Sequence, residues 1–198
     1  MGKKGKSICL FSSKGGTGKS SIATLLSGFF AMQEKKVLII DFDLSFGSIG
    51  LLLNKESNKN IYDLYSDYSN NKFTDISDYV TKYNDNILFL ASSSDPRQGV
   101  KINDAFIKFI LEKSIYSYDY IIIDTNSDCS NVNIDLLDIV DNVLFIMNND
   151  LLNIKNMRSM INIFKVAGKT NYKVLLNEST NPYKNYYSLY DIKKMIGT

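Results

Sequence analysis

The chain has 198 residues, 44% of them hydrophobic, and its 23 basic and 21 acidic side chains leave a formal charge of +2. That is enough apolar matter for one sizeable core, read here as a single domain over residues 1–198, with no overall field that dictates a nucleic acid or anionic membrane as obligatory partner. Histidine is absent and Cys9 and Cys129 stand far apart, which excludes zinc ribbons, His-based triads and imidazole acid–base chemistry; lacking a signal peptide or spanning run, the sequence points to a reducing cytoplasm.

In chain order, the first element is a strand over Ile8–Phe11, followed by a glycine-rich stretch, Ser13 to Gly18, and a helical pattern over Ser20–Met32. A second strand runs over Val37–Ile40. The Asn/Ser/Lys-rich stretches Asn54–Asn60 and Ser69–Lys72 read as a surface excursion. Strands follow at Ile87–Leu90, Tyr120–Ile123, Val143–Met147 and Lys173–Leu176, separated by helices at Ile102–Ile115, Asn131–Val140 and Leu152–Val166 and followed by one at Tyr187–Ile196. Strands that are apolar throughout, alternating with helices, predict an α/β fold: a doubly wound, mostly parallel sheet flanked by helices in three layers. Right-handed crossovers then gather the carboxyl ends of the strands on one edge, where ligands bind. Phe29, Phe30 and Met32 on the first helix, and Phe106, Phe109 and Ile110 on a later one, are expected to face the sheet.

The segment Ser13-Lys14-Gly15-Gly16-Thr17-Gly18-Lys19-Ser20 sits between the first strand and the first helix, the setting of a phosphate loop. Glycines let the backbone curl round a polyphosphate, and the helix N-terminus adds about half a positive charge. Lys19 would pair with the β- and γ-phosphates and the Ser20 hydroxyl would ligate Mg²⁺. Taken strictly, the ordinary G-x-x-x-x-G-K-[ST] pattern fails, because Ser13 stands where it wants glycine.

The second strand ends in Asp41-Phe42-Asp43, and alternate residues of a strand share a face, so both carboxylates can turn towards Mg²⁺ and the γ-phosphate; the competing reading is a solvated acidic loop. Tyr120-Ile121-Ile122-Ile123-Asp124 is an apolar strand closed by aspartate, the Walker B arrangement that holds the metal through water. Such a motif is weak alone and gains its specificity from following a phosphate loop.

The form K-G-G-x-G-K-S resembles the deviant Walker A loop of the MinD/ParA family of P-loop ATPases. The resemblance implies ATP and Mg²⁺ as cofactors, with Gly15, Gly16, Thr17, Gly18, Lys19, Ser20 and Ser21 around the nucleotide. It also implies an ATP-dependent homodimer in which Lys14 reaches the partner's phosphates. It gives Asp43 the positioning of the attacking water and Asp41 an outer-sphere place at the metal beside Ser20 and Asp124. Asn177, closing the last strand, matches the family's adenine-contacting asparagine, against a plain reading as a turn residue. The segment Ile139 to Ile146 is similar to a strand entry of the same family. Lys14, Lys19 and Asp43 are then the catalytic set of an Mg-dependent ATPase. The family commonly continues its Walker B aspartate with proline and glycine, whereas this chain has Asn126-Ser127-Asp128, which implies hydrolysis that is slow or triggered by a partner.

Asp41 to Leu53, with Ile61-Tyr62-Asp63-Leu64 after it, looks most like the TadZ/CpaE pilus-assembly branch. The implied output is positional: a cytoplasmic switch that a protein partner recruits to a pole or to the inner membrane face, with no membrane segment of its own. Alternatives are a non-hydrolysing nucleotide-binding scaffold, a division-site or flagellar-number regulator, and a DNA-partitioning ATPase. Leu44 and Ser45 do not match the residues that DNA-partitioning relatives carry after the second aspartate, so DNA is unsupported as a partner.

Overall fold

The computed structural model describes residues 3–178 and 186–197. Strand β1 (Lys6–Phe11) leads to helix α1 (Lys19–Ala31), then β2 (Val37–Phe42), a one-turn helix α2 (Ile49–Leu52) and α3 (Ile61–Ser69). After a 3₁₀ turn at Ile76–Asp78 come β3 (Thr81–Lys82), β4 (Ile87–Leu90), a short α4 (Pro96–Gly99), α5 (Asp104–Ser114) and β5 (Tyr120–Thr125). The chain continues through α6 (Asn131–Ile139), β6 (Asn142–Met147), α7 (Leu151–Val166), β7 (Tyr172–Leu176) and α8 (Leu189–Ile196).

The seven strands form one sheet in the order β3-β4-β2-β5-β1-β6-β7. All neighbours pair in parallel except β3, which lies antiparallel to β4 at the edge. Alternate residues of the central strands feed two cores. Cys9, Phe11, Leu38 and Ile40 face one side with Phe106, Ile110, Leu136, Met157 and Phe164 from α5, α6 and α7. Leu10, Val37 and Ile39 face the other with Ala23 and Ile49 from α1 and α2. Burial on both faces is why these strands read as unbroken apolar runs.

Strand β1 is held at both ends as well as along both edges. Near its start the Asp141 carboxylate accepts from the Ser7 N–H and hydroxyl, each at 2.8 Å, so Asp141 at the entry to β6 is a fastening of the sheet. At its far end the Thr125 hydroxyl donates to the Leu10 carbonyl at 2.8 Å inside the core.

Most expected elements are present with ends moved by a residue or two, and capping sets the starts of two helices. Asn103 accepts from the Phe106 N–H, so α5 starts at Asp104 and not at Ile102. Ser188 accepts from the Asp191 N–H, so α8 begins at Leu189. Helix α3 was not expected: it rises between the two polar stretches on a capping box in which Asn60 and Asp63 satisfy each other's backbone. The first helix also corrects an expectation. Ala23 and Ser27 are buried on its inner side, and Phe30 stacks on Tyr120 with ring centroids 3.7 Å apart. Leu25, Phe29 and Met32, at helical spacing on the opposite side, are exposed, Met32 to 86%. Phe106 and Ile110 lie in the core as expected, with Phe109 packed against it.

Candidate functional site

Between β1 and α1 the backbone turns through two left-handed glycines, Gly16 at φ 72° and Gly18 at φ 90°. Side chains avoid that region, which is why glycine occupies both positions. Helix α1 starts with no side-chain cap and no acidic residue in its first turn, so its first N–H groups and its positive dipole end are left to a ligand. A Cβ placed at Gly15 or Gly16 would meet nothing within 4 Å; space lies open in front of the loop. Thr17 beneath it is buried, its hydroxyl unpartnered. From the end of β7, the Asn177 amide donates to the Thr17 carbonyl at 2.8 Å, while the Asn177 carbonyl accepts from the Asn148 side chain at 2.9 Å. Asn177, expected near an adenine, is seen here bracing the loop.

Lys19, the first residue of α1, is only 8% exposed. Burial pulls its pKa down, against the opposing pull of Asp124 and Asp43, and its ammonium donates to the Ser127 hydroxyl at 2.8 Å. Asp124 is wholly buried, with no hydrogen-bond partner of ordinary geometry on either carboxylate oxygen and the Ser20 hydroxyl close by. Burial raises its pKa to about 6; the nearby Ser20 hydroxyl and Lys19 ammonium pull the other way.

Asp41 pairs in register with Asp124 across β2 and β5. One of its oxygens accepts from the Ile49 N–H at the start of α2, at 2.9 Å, and the other is buried without a partner. Burial lifts its pKa to about 7. The turn that follows presses so close that a Cβ on Gly47 would lie 2.2 Å from the Ser92 Cβ and 2.7 Å from Asp41 Oδ2, the oxygen that accepts from Ile49, which accounts for glycine there. Asp43, just beyond β2, is half-buried, and its side chain accepts from the Ser45 and Phe46 N–H groups at 3.2 and 3.1 Å.

Lys14 lies back on its own chain, its ammonium 3.0 Å from Asp150, the N-cap of α7. Both side chains are about 40% exposed, as 43% and 40%, so the pair contributes well under about 1 kcal/mol to stability. The loop leaving β5 is tied by a polar knot: the buried Asn133 of α6 directs its amide to the Asn126 side chain, the Asp128 carbonyl and the Asp128 carboxylate. Ser127 and Asn133 were not among the expected site residues, and the only sign of them in the sequence is the replacement of proline and glycine after Asp124.

The fold thus brings Lys14, Gly15, Gly16, Gly18, Lys19 and Ser20 to one edge with Asp41, Asp43 and Asp124, while Asn177 approaches from β7. Ser21 on α1 is exposed. Among the described residues no three Asp, Glu or Cys side chains converge closely enough to hold a metal ion by themselves, and no helix is long and apolar enough to cross a membrane.

A family model described as AAA domain matches residues 5–177. The chain belongs to the AAA domain family. An uncharacterized ATP-binding protein of Methanocaldococcus jannaschii is 27% identical over 172 residues, 86% of this chain and 63% of that protein. The chain thus spans less than two thirds of the length of this curated relative. Among solved structures, a ParA family ATPase from Chlorobium tepidum TLS superposes with a TM-score of 0.82 at 20% identity, covering 97% of this chain and 81% of that one. The septum site-determining protein MinD from Pyrococcus horikoshii OT3, complexed with Mg-ADP, gives 0.80 at 19% identity over 96% of this chain and 76% of that one. At such identities the superpositions speak for the fold. This AAA domain chain has the mostly parallel sheet and flanking helices of the MinD/ParA P-loop proteins.

Proposed function

We propose that this chain binds Mg-ATP at the loop after β1, hydrolyses it slowly, and acts as a dimerising switch that positions a cellular assembly. The observation that carries the reading is the buried Lys19 ammonium beside the buried, unpartnered Asp124 carboxylate, at the mouth of a helix without a cap. A buried carboxylate without partners carries a desolvation penalty and marks a functional site; a metal ion would supply what Asp124 lacks, and phosphate oxygens would take the N–H donors of Lys19 that Ser127 leaves over.

In this reading the N–H groups of Gly15 to Ser21 cradle the phosphates, and Lys19 neutralises the oxygens that gain charge as the γ-phosphate departs. Ser20 and Asp124, with Asp41 in support, would hold Mg²⁺, which would supply charge neutralisation. Asp43 orients the attacking water. Asn177 lies at the adenine as well as on Thr17. Lys14 exchanges its weak intrachain partner Asp150 for the phosphates of a second copy, so ATP bridges the dimer. The resemblance of Asp41 to Leu53 to the TadZ/CpaE branch favours a pilus or secretion apparatus as the assembly, reached from the cytoplasm through a protein partner.

Calorimetry with Mg-ATP, then light scattering in ADP and in ATP with wild type and Lys14→Ala, tests the reading. We expect nucleotide binding by both proteins and an ATP-dependent doubling of mass in the wild type alone. Wild-type protein with no nucleotide affinity, or a Lys14→Ala dimer as strong as the wild type's, sinks it. A second reading, a nucleotide-bound scaffold that does not hydrolyse, is favoured by Asn126-Ser127-Asp128 after β5. Single-turnover hydrolysis separates the two.

A further inference from the structure

Helix α1 turns Ala23, Ser27 and Phe30 towards the sheet, and its outer side carries the exposed Leu25, Phe29 and Met32. Spacings of four and three residues put these three on one stripe. Between the stripe and the turn that enters β4 runs an open, mainly apolar groove of about 680 Å³, lined by Leu25, Gly28, Phe29, Met32, Tyr83 and Ile87 among others. A Cβ on Gly28 would meet nothing within 4 Å, so the groove is open along the middle of the helix. We propose that this groove docks an amphipathic helix of a partner protein, apolar on the side that enters and acidic on its flank.

The charges at the foot of the groove set the sign of that flank. The Asn86 side chain donates to the Ala31 carbonyl at 3.3 Å, and the Asn86 carbonyl accepts from the Val37 N–H at 2.8 Å, so the segment from Gln33 to Lys36 passes directly below. The Lys36 carbonyl accepts from the Asp119 N–H at 2.8 Å, and the Lys6 N–H donates to the Asp119 carbonyl at 2.9 Å. Lys4, Lys6, Lys35 and Lys36 therefore share this end of the sheet. All four are exposed, and among the described residues none of them forms an ion pair. Opposing them are Glu34 and Asp119, the latter engaged by the Lys36 N–H at 2.9 Å, while Asp85 on the rim is already paired with Lys82 at 2.7 Å. This end is basic although the chain as a whole carries only +2. Carboxylates on the incoming helix meet these ammonium groups, which steer and select it more than they hold it.

Shape favours a helix over a bilayer. A lipid surface is entered by side chains that protrude, whereas a trough beside one helix is filled by the ridge of another. Apolar side chains at i, i+3, i+4 and i+7 of the incoming helix interleave with Leu25, Phe29 and Met32. Phe29, Tyr83 and Met32 are also of the kinds enriched where proteins meet. None of the lining residues lies in the phosphate loop, so the inference goes beyond nucleotide binding and does not depend on it.

Fluorescence anisotropy with the intact, nucleotide-free chain tests this. The probes are a synthetic helix with leucines at i, i+3, i+4 and i+7 and glutamates on its flanks, the same composition scrambled, and a version with lysine for glutamate. We expect saturable binding of the first peptide and at least about tenfold weaker binding of the other two. Phe29→Asp and Gly28→Leu should each weaken it at least about tenfold, the first by setting a charge among apolar walls and the second by filling the groove with a residue that α1 tolerates. Lys35→Glu with Lys36→Glu should weaken it about fivefold and remove most of the loss seen on adding salt. Sedimentation with vesicles of phosphatidylcholine and phosphatidylserine should leave the protein in solution. No binding, a scrambled peptide bound as tightly, or Gly28→Leu that binds like wild type overturns the docking site. Wild type held on the vesicles and released by Phe29→Asp gives the face to lipid, and a nucleotide-free dimer that Phe29→Asp turns to monomer gives it to a second copy; either result overturns the proposal.

Discussion

Replacing Gly18 by alanine tests the architecture of the loop without any ligand. The residue sits at φ 90° and ψ 20°, where a Cβ costs about 1–2 kcal/mol. That Cβ would also lie 2.5 Å from Asn177 Nδ2, displacing the amide from the Thr17 carbonyl it meets at 2.8 Å, a bond worth about 1 kcal/mol. Gly18→Ala should therefore lose roughly 2–3 kcal/mol and Asn177→Ala about 1 kcal/mol. In the double variant the collision is gone and the hydrogen bond can be lost only once, so its loss stays near 2–3 kcal/mol, a coupling of about 1 kcal/mol. Urea unfolding of the nucleotide-free protein, read as a shift in midpoint at constant slope, measures all three. Additive losses within about 0.3 kcal/mol, or a neutral Gly18→Ala, would refute the contact between the end of β7 and the loop.

Three further perturbations have defined outcomes. Asp41 and Asp124 are raised by burial to about 7 and about 6, so the folded chain keeps protons that the unfolded chain gives up above its ordinary carboxylate value. Stability of the metal-free protein should fall as pH rises from about 4 to about 7, by at most about 7 kcal/mol from shifts of about 3 and about 2 tenfold steps at about 1.4 kcal/mol each, and level off above. Urea midpoints in chelator at pH 5 and pH 8 check the sign, and equal midpoints contradict it. On α1, Phe30→Ala should lose about 2–3 kcal/mol through its stack on Tyr120, whereas Phe29→Ser on the outer face should stay within about 0.5 kcal/mol; thermal melts of the two distinguish the inward from the outward side. Asp141→Ala leaves the Ser7 N–H and hydroxyl without their acceptor and should lower stability by about 2–3 kcal/mol, whereas a loss below about 0.5 kcal/mol would mean β1 needs no such fastening.

The strands were legible because two-sided burial writes itself as continuous Ile, Leu, Val and Phe, and the phosphate loop because its glycines stand between a strand and a helix. Helix α3 was hidden by polar composition: its inward residues are few, Ile61 and Leu64 foremost, and its clearest mark was the spacing of Asn60 and Asp63. The orientation of α1 could not be read from apolar content, since apolar residues occupy both sides and the inward one carries Ala23 and Ser27. At the site, Asp41 and Asp124 fall side by side because their strands pair in register. The diversion of one Asp41 oxygen to Ile49, and the bond from Lys19 to Ser127, depend on how loops fold back in space, which no local pattern encodes.

The fastening of β1 by Ser7, Asp141 and Thr125, between two strands that pair along both of its edges, leaves the seat of the glycine loop almost no freedom to travel. A ligand that arrives there cannot report its presence by shifting the floor beneath it. In the proposed switch, the segments hung from the neighbouring strands, after β2 and after β5, would carry the response. Division of labour of this kind lets the same immobile pedestal serve different outputs, because rewriting those two segments changes the response while the seat stays as it was.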